Sequence, residues 1–358
     1  MKKDNNSISQ AIAQSENEKL RQEAQLELDH KRMERSIRQA NLFEKIGKFW
    51  TLSVFLLIVI IFGAIQPRVF SWPYWSSTLA YMTEIVILGL ACGLVMIGGS
   101  VDLSVGAISG LTGVIGANLV KMLTPQLGMW WALVVAVVVG LCVGAVVGTF
   151  NGFVVTRMKL SPFLATIGTQ SICQGFSLVI TGGVEVTGLP SIGTFANHKF
   201  FGFATPNMII SWILVLVFAF LLNRTKFGIH TYALGSNKEA LTRSGVDSDK
   251  HLTKLYRISG ILGAVSGLLL MMRFVSASPT TGQNTQLTAI AAAAIGGVSS
   301  TGGKGKAEGV LLGALIISVV MTGLVIINVN TYWQQVAVGA IIIASVYMDK
   351  FSEKNIQR

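Results

Sequence analysis

The sequence has very little charge for its length. Of its 358 residues, 13% are charged and 51% are hydrophobic. A soluble protein of this size would need more charge to cover its water-facing surface. Cysteine is also scarce, and Cys92, Cys142 and Cys173 all lie in apolar stretches, so nothing indicates a framework of structural disulfides. The composition therefore excludes a soluble globular enzyme and a disulfide-rich secreted domain.

Motifs of catalysis and nucleotide binding are missing too. The sequence has no phosphate loop, because Gly302-Gly303-Lys304-Gly305-Lys306 lacks the required spacing. It has no cluster of His, Asp and Glu for a metal ion and no nucleophile paired with a base. We therefore expect no metal and no cofactor bound by this chain, and no enzymatic activity of its own.

What the sequence does contain is a succession of apolar runs between Phe49 and Asp349. A helix needs about 20 apolar residues to cross the roughly 30 Å hydrocarbon core of a bilayer. The sequence therefore predicts an all-α polytopic membrane protein with about ten transmembrane helices. Their predicted positions are near 49–66, 79–98, 103–120, 129–150, 163–182, 207–223, 255–275, 285–299, 309–328 and 331–348.

The basic residues predict how these helices are oriented. With the N-terminus in the cytoplasm, all but four of the 28 Lys and Arg residues fall on the inner side, and only Arg68, Lys121, Lys199 and Arg273 fall outside. This bias predicts an even number of spans, with both termini cytoplasmic. The formal charge of +11 is then a topology signal and not a sign of nucleic-acid binding.

The chain organisation follows from these spans. Residues 1–48 form a charged cytoplasmic tail, 49–350 the transmembrane domain and 351–358 a cytoplasmic C-terminus. The tail is a solvated extension or, alternatively, contacts anionic membrane lipid through its basic residues next to the first span. The sizeable inner loop is 224–254.

The fifth predicted span carries a stripe of uncharged polar side chains. Its members recur every three to four residues, which places them on one side of a helix; they are Thr166, Gln170, Gln174, Ser177 and Thr181. Such groups cost free energy in hydrocarbon unless they find partners or water. The stripe is either an interhelical hydrogen-bonding face or the wall of a conduit for a neutral, hydroxyl-rich solute.

Two acids stand out in the apolar region. Glu84 lies within the second predicted span, near its outer end, and is a candidate for the substrate pathway. Asp102, followed by Ser104, lies between the second and third spans, and we interpret it as the N-cap of the third. Neither acid has an obvious cationic partner in the sequence, which argues against a proton relay.

A short helix is predicted within the inner loop. Ser236-Asn237-Lys238-Glu239 matches a capping box, and Gly245 follows as a stop signal. A helix this short is unstable alone, so we expect it to dock on something.

Four motifs, in order, resemble the inner-membrane permeases of the ribose, xylose, arabinose and galactose ABC importers. The resemblance extends from about residue 50 to 350. The motifs are Gly99–Gly106 (GSVDLSVG), Asn151-Gly152 followed by 161–169 (SPFLATIGT), 233–240 (ALGSNKEA) with Ser244-Gly245-Val246, and Ala289–Gly297 (AIAAAAIGG). The long tail and Glu84 depart from the family pattern.

The resemblance implies a multi-pass permease subunit of the bacterial inner membrane that moves a monosaccharide or similar polyol. It also implies three partners: a cassette ATPase that holds the ATP and Mg, an extracytoplasmic sugar-binding protein and a second permease copy. The segment that couples to the ATPase would contain Gly235, Asn237, Glu239, Ala240, Ser244 and Gly245. The alternative is an ion-coupled secondary sugar transporter, which should carry titratable groups near the membrane midplane.

Overall fold

The structure is a computed structural model that describes residues 52–190 and 192–356. The predicted tail, residues 1–48, lies outside the described residues. The chain divides into a unit of residues 1–54 and a unit of residues 55–358, and the second contains the helical bundle. Within the described ranges the regular elements are helices, accompanied by two isolated β-bridges, which confirms the all-α class.

Thirteen α-helices are numbered in chain order across the described residues. They are α1 (Leu52–Ile65), α2 (Trp72–Ile97), α3 (Val105–Leu127), α4 (Met129–Thr156), α5 (Pro162–Thr181), α6 (Ile192–Ala196), α7 (Pro206–Arg224), α8 (Lys226–Ser236), α9 (Lys238–Arg243), α10 (Ser248–Phe274), α11 (Thr285–Ile295), α12 (Ala307–Ile326) and α13 (Thr331–Ile356). A 3₁₀ helix at Pro67–Phe70 precedes α2.

Seven of these helices are long and apolar enough to cross a membrane, namely α2, α3, α4, α5, α7, α10 and α12. Apolar stretches of 10–17 residues, Leu52–Ile65, Thr285–Ile295 and Tyr332–Ala344, occupy the places of the other three predicted spans. The eighth predicted span, 285–299, is wrong in length: α11 has 11 residues, about 16 Å, which is too short to cross the hydrocarbon core alone. The count of ten spans and the location of the termini stay predictions.

Glycines let α4 and α10 lie against each other. Gly140, Gly144, Gly148 and Gly152 recur every four residues of α4 and are all oriented toward α10. A Cβ atom at Gly148 would collide with the carbonyl oxygen of Tyr256. Without a hydrophobic drive between helices in lipid, such close backbone approach is what holds a helix pair together. The two helices run antiparallel.

The other side of α10 packs on α3. A Cβ atom at Gly267 would collide with the carbonyl oxygen of Ser109, and one at Gly263 would lie 3.0 Å from the carbonyl oxygen of Val105. With α2 packed against it as well, α10 lies in the centre of the bundle. The serines in its middle, Ser259 and Ser266, are therefore buried among other helices.

Candidate functional site

The polar stripe of α5 faces the interior of the bundle. Thr166 and Ser177 are buried, and Gln170 and Gln174 are half-buried. The opposite faces of the helix carry exposed apolar side chains; Val179, for example, is 80% exposed. The predicted one-sided placement of these polar groups is confirmed.

The hydroxyl groups of the stripe are satisfied within α5 itself. Thr166 Oγ1 donates to the carbonyl oxygen of Pro162 at 2.8 Å, and Ser177 Oγ donates to that of Cys173 at 3.0 Å. Thr181 Oγ1 likewise donates to the carbonyl oxygen of Ser177 at 2.8 Å. The carboxamides of Gln170 and Gln174 form no hydrogen bond with any described residue. These two amides therefore keep their full hydrogen-bonding capacity for a solute or for water.

A small cleft brings part of the stripe together with the loop before α11. Gln170, Gln174 and Ser177 line it with Ala107 of α3 and residues 279–283. Its volume of about 10 Å³ holds about one water molecule and no sugar. Thr166 does not line this cleft.

Glu84 lies in a different cavity. That cavity, of about 220 Å³, is enclosed by α2, α7, α10 and the segment 196–205. Arg273, at the end of α10, lines it too, and the two side chains are close enough for their charges to interact. No ion pair joins Glu84 to Arg273 among the described residues, but the fold brings this cation, which is distant in sequence, to the same cavity. The predicted pathway residues therefore line two separate spaces: Glu84 lines this cavity, whereas Gln170, Gln174 and Ser177 line the cleft.

Asp102 does not cap α3, which corrects its predicted role. The N-cap residue of α3 is Ser104, whose side chain makes no capping bond. Asp102 is 1% exposed, and its Oδ1 accepts from the backbone N–H of Ser104 at 3.0 Å and from the Ser104 hydroxyl at 2.6 Å. Its Oδ2 accepts from the Ser259 hydroxyl of α10 at 2.7 Å. The carboxyl group thus ties the α2–α3 connection to α10.

Further bonds complete this polar cluster. Asn151 of α4 donates from Nδ2 to Ser104 Oγ at 2.8 Å, and its buried Oδ1 has no partner among the described residues. The Tyr256 hydroxyl donates to the carbonyl oxygen of Val101 at 2.9 Å and lies 2.7 Å from Ser100 Oγ. These bonds to α4 and α10 therefore hold Gly99–Gly106, the first of the four motifs, in place.

The predicted short helix exists as α9, but its cap differs from the prediction. The N-cap residue is Asn237, whose Oδ1 accepts from the backbone N–H of Ala240 at 2.9 Å, whereas Ser236 is the last residue of α8. The capping box is wrong by one residue, because α8 extends into it. Glu239 points outward and forms an exposed ion pair with Arg243 at 3.6 Å. Gly245 ends the segment with φ of +88°, as expected of a glycine stop.

The predicted coupling residues fall into two groups. Five are exposed on or next to α9: Asn237, Glu239, Ala240, Ser244 and Gly245. The sixth, Gly235, packs inside, where a Cβ atom would collide with the carbonyl oxygen of Ile97 and the backbone nitrogen of Gly303. Leu241, 4% exposed, anchors α9 to the core.

A tyrosine joins α8 to the loop before α12. The Tyr232 hydroxyl donates to the carbonyl oxygen of Gly305 at 2.7 Å. Burial, and then the Glu308 carboxylate, raise the pKa of Tyr232, which keeps the phenol protonated as a donor. The segment that carries α9 is thus bonded to the bundle.

Two residues were missed in the sequence analysis, one at the cavity of Glu84 and one beside Asp102. Arg273 was counted on the outer side of the membrane, at the end of the predicted span 255–275, and its place at the same cavity as Glu84 follows from the packing of α10 on α2. Ser259 gave no signal, because its link to Asp102 spans 157 residues.

Comparisons with known proteins agree with the fold. Residues 74–346 match the family described as branched-chain amino acid transport system, permease component. The chain is 34% identical to the D-allose transport system permease protein of Escherichia coli K12, over 88% of this chain and 94% of that protein. It is 34% identical to the ribose import permease protein of Bacillus subtilis 168, over 91% and 98%. It is also 34% identical to the fructose import permease protein of Rhizobium meliloti, over 85% of each chain. No solved structure matches the chain.

Proposed function

Because the chain belongs to this family of permease components of ABC importers, we propose that it carries a monosaccharide or similar polyol inward across the membrane. As a member of the family it is a multi-pass inner-membrane transport subunit and not an enzyme, and it works with an ATPase and a substrate-binding protein. The relatives named above give no support to an ion-coupled secondary carrier.

The observation that carries the sugar assignment is the pair of free amides on α5. Gln170 and Gln174 are uncharged and face a cleft without a partner. An amide both donates and accepts, so it can replace the water that a sugar hydroxyl loses without imposing a fixed charge. The names of the ribose, allose and fructose permeases support the same class of solute.

A second copy of the chain is the partner that completes the path. The cleft beside Gln170 holds about one water, so a single subunit offers no open route there. In its most apolar stretch α5 is only 28% buried, which leaves its surface available to a neighbour. We place the path along the interior-facing Thr166, Gln170, Gln174 and Ser177 side of α5, and the second copy against the opposite, exposed apolar face of this helix.

The energy comes from a separate chain. This sequence has no phosphate loop, so ATP and Mg bind to the partner ATPase and no cofactor binds here. The binding protein that delivers the sugar is extracytoplasmic, and both termini of the permease are cytoplasmic, where the basic residues of the charged tail next to the first span contact anionic lipid.

Uptake into vesicles tests the function. Vesicles that contain this chain with its ATPase and binding protein should accumulate labelled ribose, allose or fructose when ATP is present and the proton gradient is abolished. Loss of uptake on collapse of the gradient, at constant ATP, would establish an ion-coupled carrier instead. Uptake of a branched-chain amino acid and of none of the sugars would overturn the substrate class.

The exposed face of α9 is the surface that couples to the ATPase. It presents five of the predicted residues while Leu241 anchors it, so it can transmit movement into the bundle. Glu239→Lys and Gly245→Val should still insert but uncouple ATP hydrolysis from uptake; because Gly245 has φ of +88°, valine there also strains the end of α9, so the folded yield of this variant is measured beside its uptake. The matched control is Arg243→Glu combined with Glu239→Lys, which restores the ion pair. If both single variants assemble with the ATPase and transport at the parental rate, α9 is not the coupling surface.

A further inference from the structure

The cavity that contains Glu84 is a half-open space with many polar side chains in its lining. It has a volume of about 220 Å³, room for several water molecules. Hydroxyl, amide and charged side chains line most of it, among them Ser76, Thr83, Glu84, Asn207, Ser266 and Arg273. We call it the Glu84 cavity.

One wall of the Glu84 cavity carries a polar atom that lacks a partner. Ser266 is 1% exposed, and its Oγ makes no hydrogen bond with any described residue. A buried hydroxyl without a bond costs free energy, so such atoms usually mark a site that another molecule completes. Asn207 donates from Nδ2 to the carbonyl oxygen of Leu269 at 3.0 Å, which leaves its Oδ1 as an acceptor at the same wall.

The two charged side chains of the cavity also keep open bonding capacity. Arg273 uses Nη1 to donate to the carbonyl oxygen of Ala80 at 2.8 Å, and its other N–H groups form no bond with described residues. The Glu84 carboxylate makes no hydrogen bond with any described residue. Charged groups within a membrane helix are costly and usually serve a ligand or an ion. The cavity therefore presents a strong hydrogen-bond acceptor, the Glu84 carboxylate, together with a strong donor, the Arg273 guanidinium.

This combination selects the chemistry of the ligand. A metal cation would be repelled by Arg273 and by Lys199 at the same cavity, whereas an anion such as phosphate, although attracted by these two cations, would leave the Glu84 carboxylate without a donor. A hydroxyl group both donates and accepts, so neighbouring hydroxyls satisfy the carboxylate and the guanidinium at once. We propose that the Glu84 cavity binds one monosaccharide or small polyol within a single subunit, apart from the cleft beside Gln170. This proposal rests on the proposed sugar function.

Thiol protection in the full chain tests the site. Ser266→Cys is made in a Cys142→Ala background, since Cys142 is the exposed native cysteine whereas Cys92 and Cys173 are buried. The protein is held in lipid nanodiscs and treated with a small water-soluble thiol reagent, with and without ribose, allose or fructose. The introduced thiol should react, and at least one of the sugars should slow the reaction in a saturable manner.

Two variants keep this test decisive. Ser109→Cys is the matched control, because Ser109 is equally buried with an unpartnered Oγ but lines neither the Glu84 cavity nor the cleft beside Gln170, so it should stay unreactive. Ser77→Cys, at an exposed position of the same cavity, serves if Ser266→Cys does not fold. Reaction without protection by any of the three sugars means a water-filled cavity and overturns the proposal. Protection by leucine alone means an amino-acid site and overturns it as well.

Removal of one charge measures the role of the lining. Glu84→Gln keeps the size of the side chain but removes the carboxylate, so the sugar concentration for half-protection should rise about tenfold. An unchanged value would show that the sugar binds elsewhere. Vesicle uptake of the same sugar separates the two hypotheses: uptake without protection contradicts only this site, whereas protection without uptake contradicts only the transport function.

Discussion

Two helices carry polar side chains through the bundle, and they differ in what surrounds them. In their most apolar stretches α10 is 78% buried and α5 is 28% buried. On α10, Ser259 bonds to the Asp102 carboxyl group. On α5, the hydroxyls of Thr166 and Ser177 bond to their own helix, and Gln170 has no partner.

The difference shows that the same residue types bond to a neighbouring element on α10, and to their own helix or to no described residue on α5. On α10 the buried Ser259 bonds to Asp102, which fixes the α2–α3 connection, whereas the buried Ser266, which lines the Glu84 cavity, has no partner among the described residues. A polar group at a half-exposed face is free to meet water, solute or a second subunit. We therefore expect substitutions on α10 and its neighbours to affect folding, and those on α5 to affect uptake.

The largest expected effect is on the yield of folded protein, and we expect it at Gly148 of α4, which lies against the backbone of α10. Gly148→Val places side-chain atoms against the Tyr256 carbonyl oxygen and the Arg257 backbone of α10, neither of which can move independently. We expect almost complete loss of folded protein, measured by size-exclusion chromatography of a fluorescent fusion. The matched control is Gly175→Val on α5, because a Cβ atom at Gly175 would have no neighbouring atom of this chain within 4 Å. Equal yields of the two variants would contradict the contrast between the helices.

A smaller loss of stability is expected at Asp102. Asp102→Leu removes the acceptor of three bonds from Ser104 and Ser259, a destabilisation on the order of 3 kcal/mol. Asp102→Asn keeps an acceptor for Ser104, and its amide donates to Ser259 once that hydroxyl rotates, so the folded yield should be near normal. Thermal unfolding in detergent gives both values. Failure of the asparagine variant to transport at normal expression would reveal a role for the charge itself.

The helices and their packing faces were predictable because each rests on a local pattern. Apolar length predicts the long helices, and the four-residue glycine repeat predicts that α4 would pack closely on a neighbour. That this neighbour is α10 depends on the fold. The period of the α5 stripe likewise predicts which residues share a face, but not that the two amides lack partners.

The roles of the two acids could not be predicted, because long-range contacts decide them. Asp102 precedes a helix, which is the local signature of a cap, yet its Oδ2 is used by Ser259. Glu84 has no cation near it in the sequence, and α10 brings Arg273 to the same cavity. A local motif fixes the geometry that a residue can adopt, and tertiary neighbours select among those geometries.

On α5 the expected effect is on uptake and not on folding. Gln170→Leu or Gln174→Leu keeps the side-chain bulk and removes the amide, so each sugar bond lost should reduce the uptake rate about tenfold or more. Expression and thermal stability should match the parent, because neither amide has a partner in the chain. Ser171→Leu, on the exposed face of the same helix, is the control and should transport normally. If both glutamine variants transport at the parental rate, the stripe is a packing face.

The smallest expected effect is a change in Tm, and it concerns the N-terminal caps of α10 and α5. Asp247 caps α10, since its Oδ1 accepts from the backbone N–H of Lys250 at 2.9 Å, whereas Ser161 at the start of α5 makes no side-chain capping bond. Asp247→Ala should lower the Tm measurably, Asp247→Asn less, and Ser161→Ala hardly at all. The hydrogen bonds from Lys250, backbone first, lower the pKa of Asp247. Its charge therefore stabilises the fold above the unfolded pKa of about 3.9 and ceases to do so as the pH falls through the lower folded value. The difference between Asp247→Asn and the parent should narrow over that acidic range, and a constant difference would show that the charge contributes nothing.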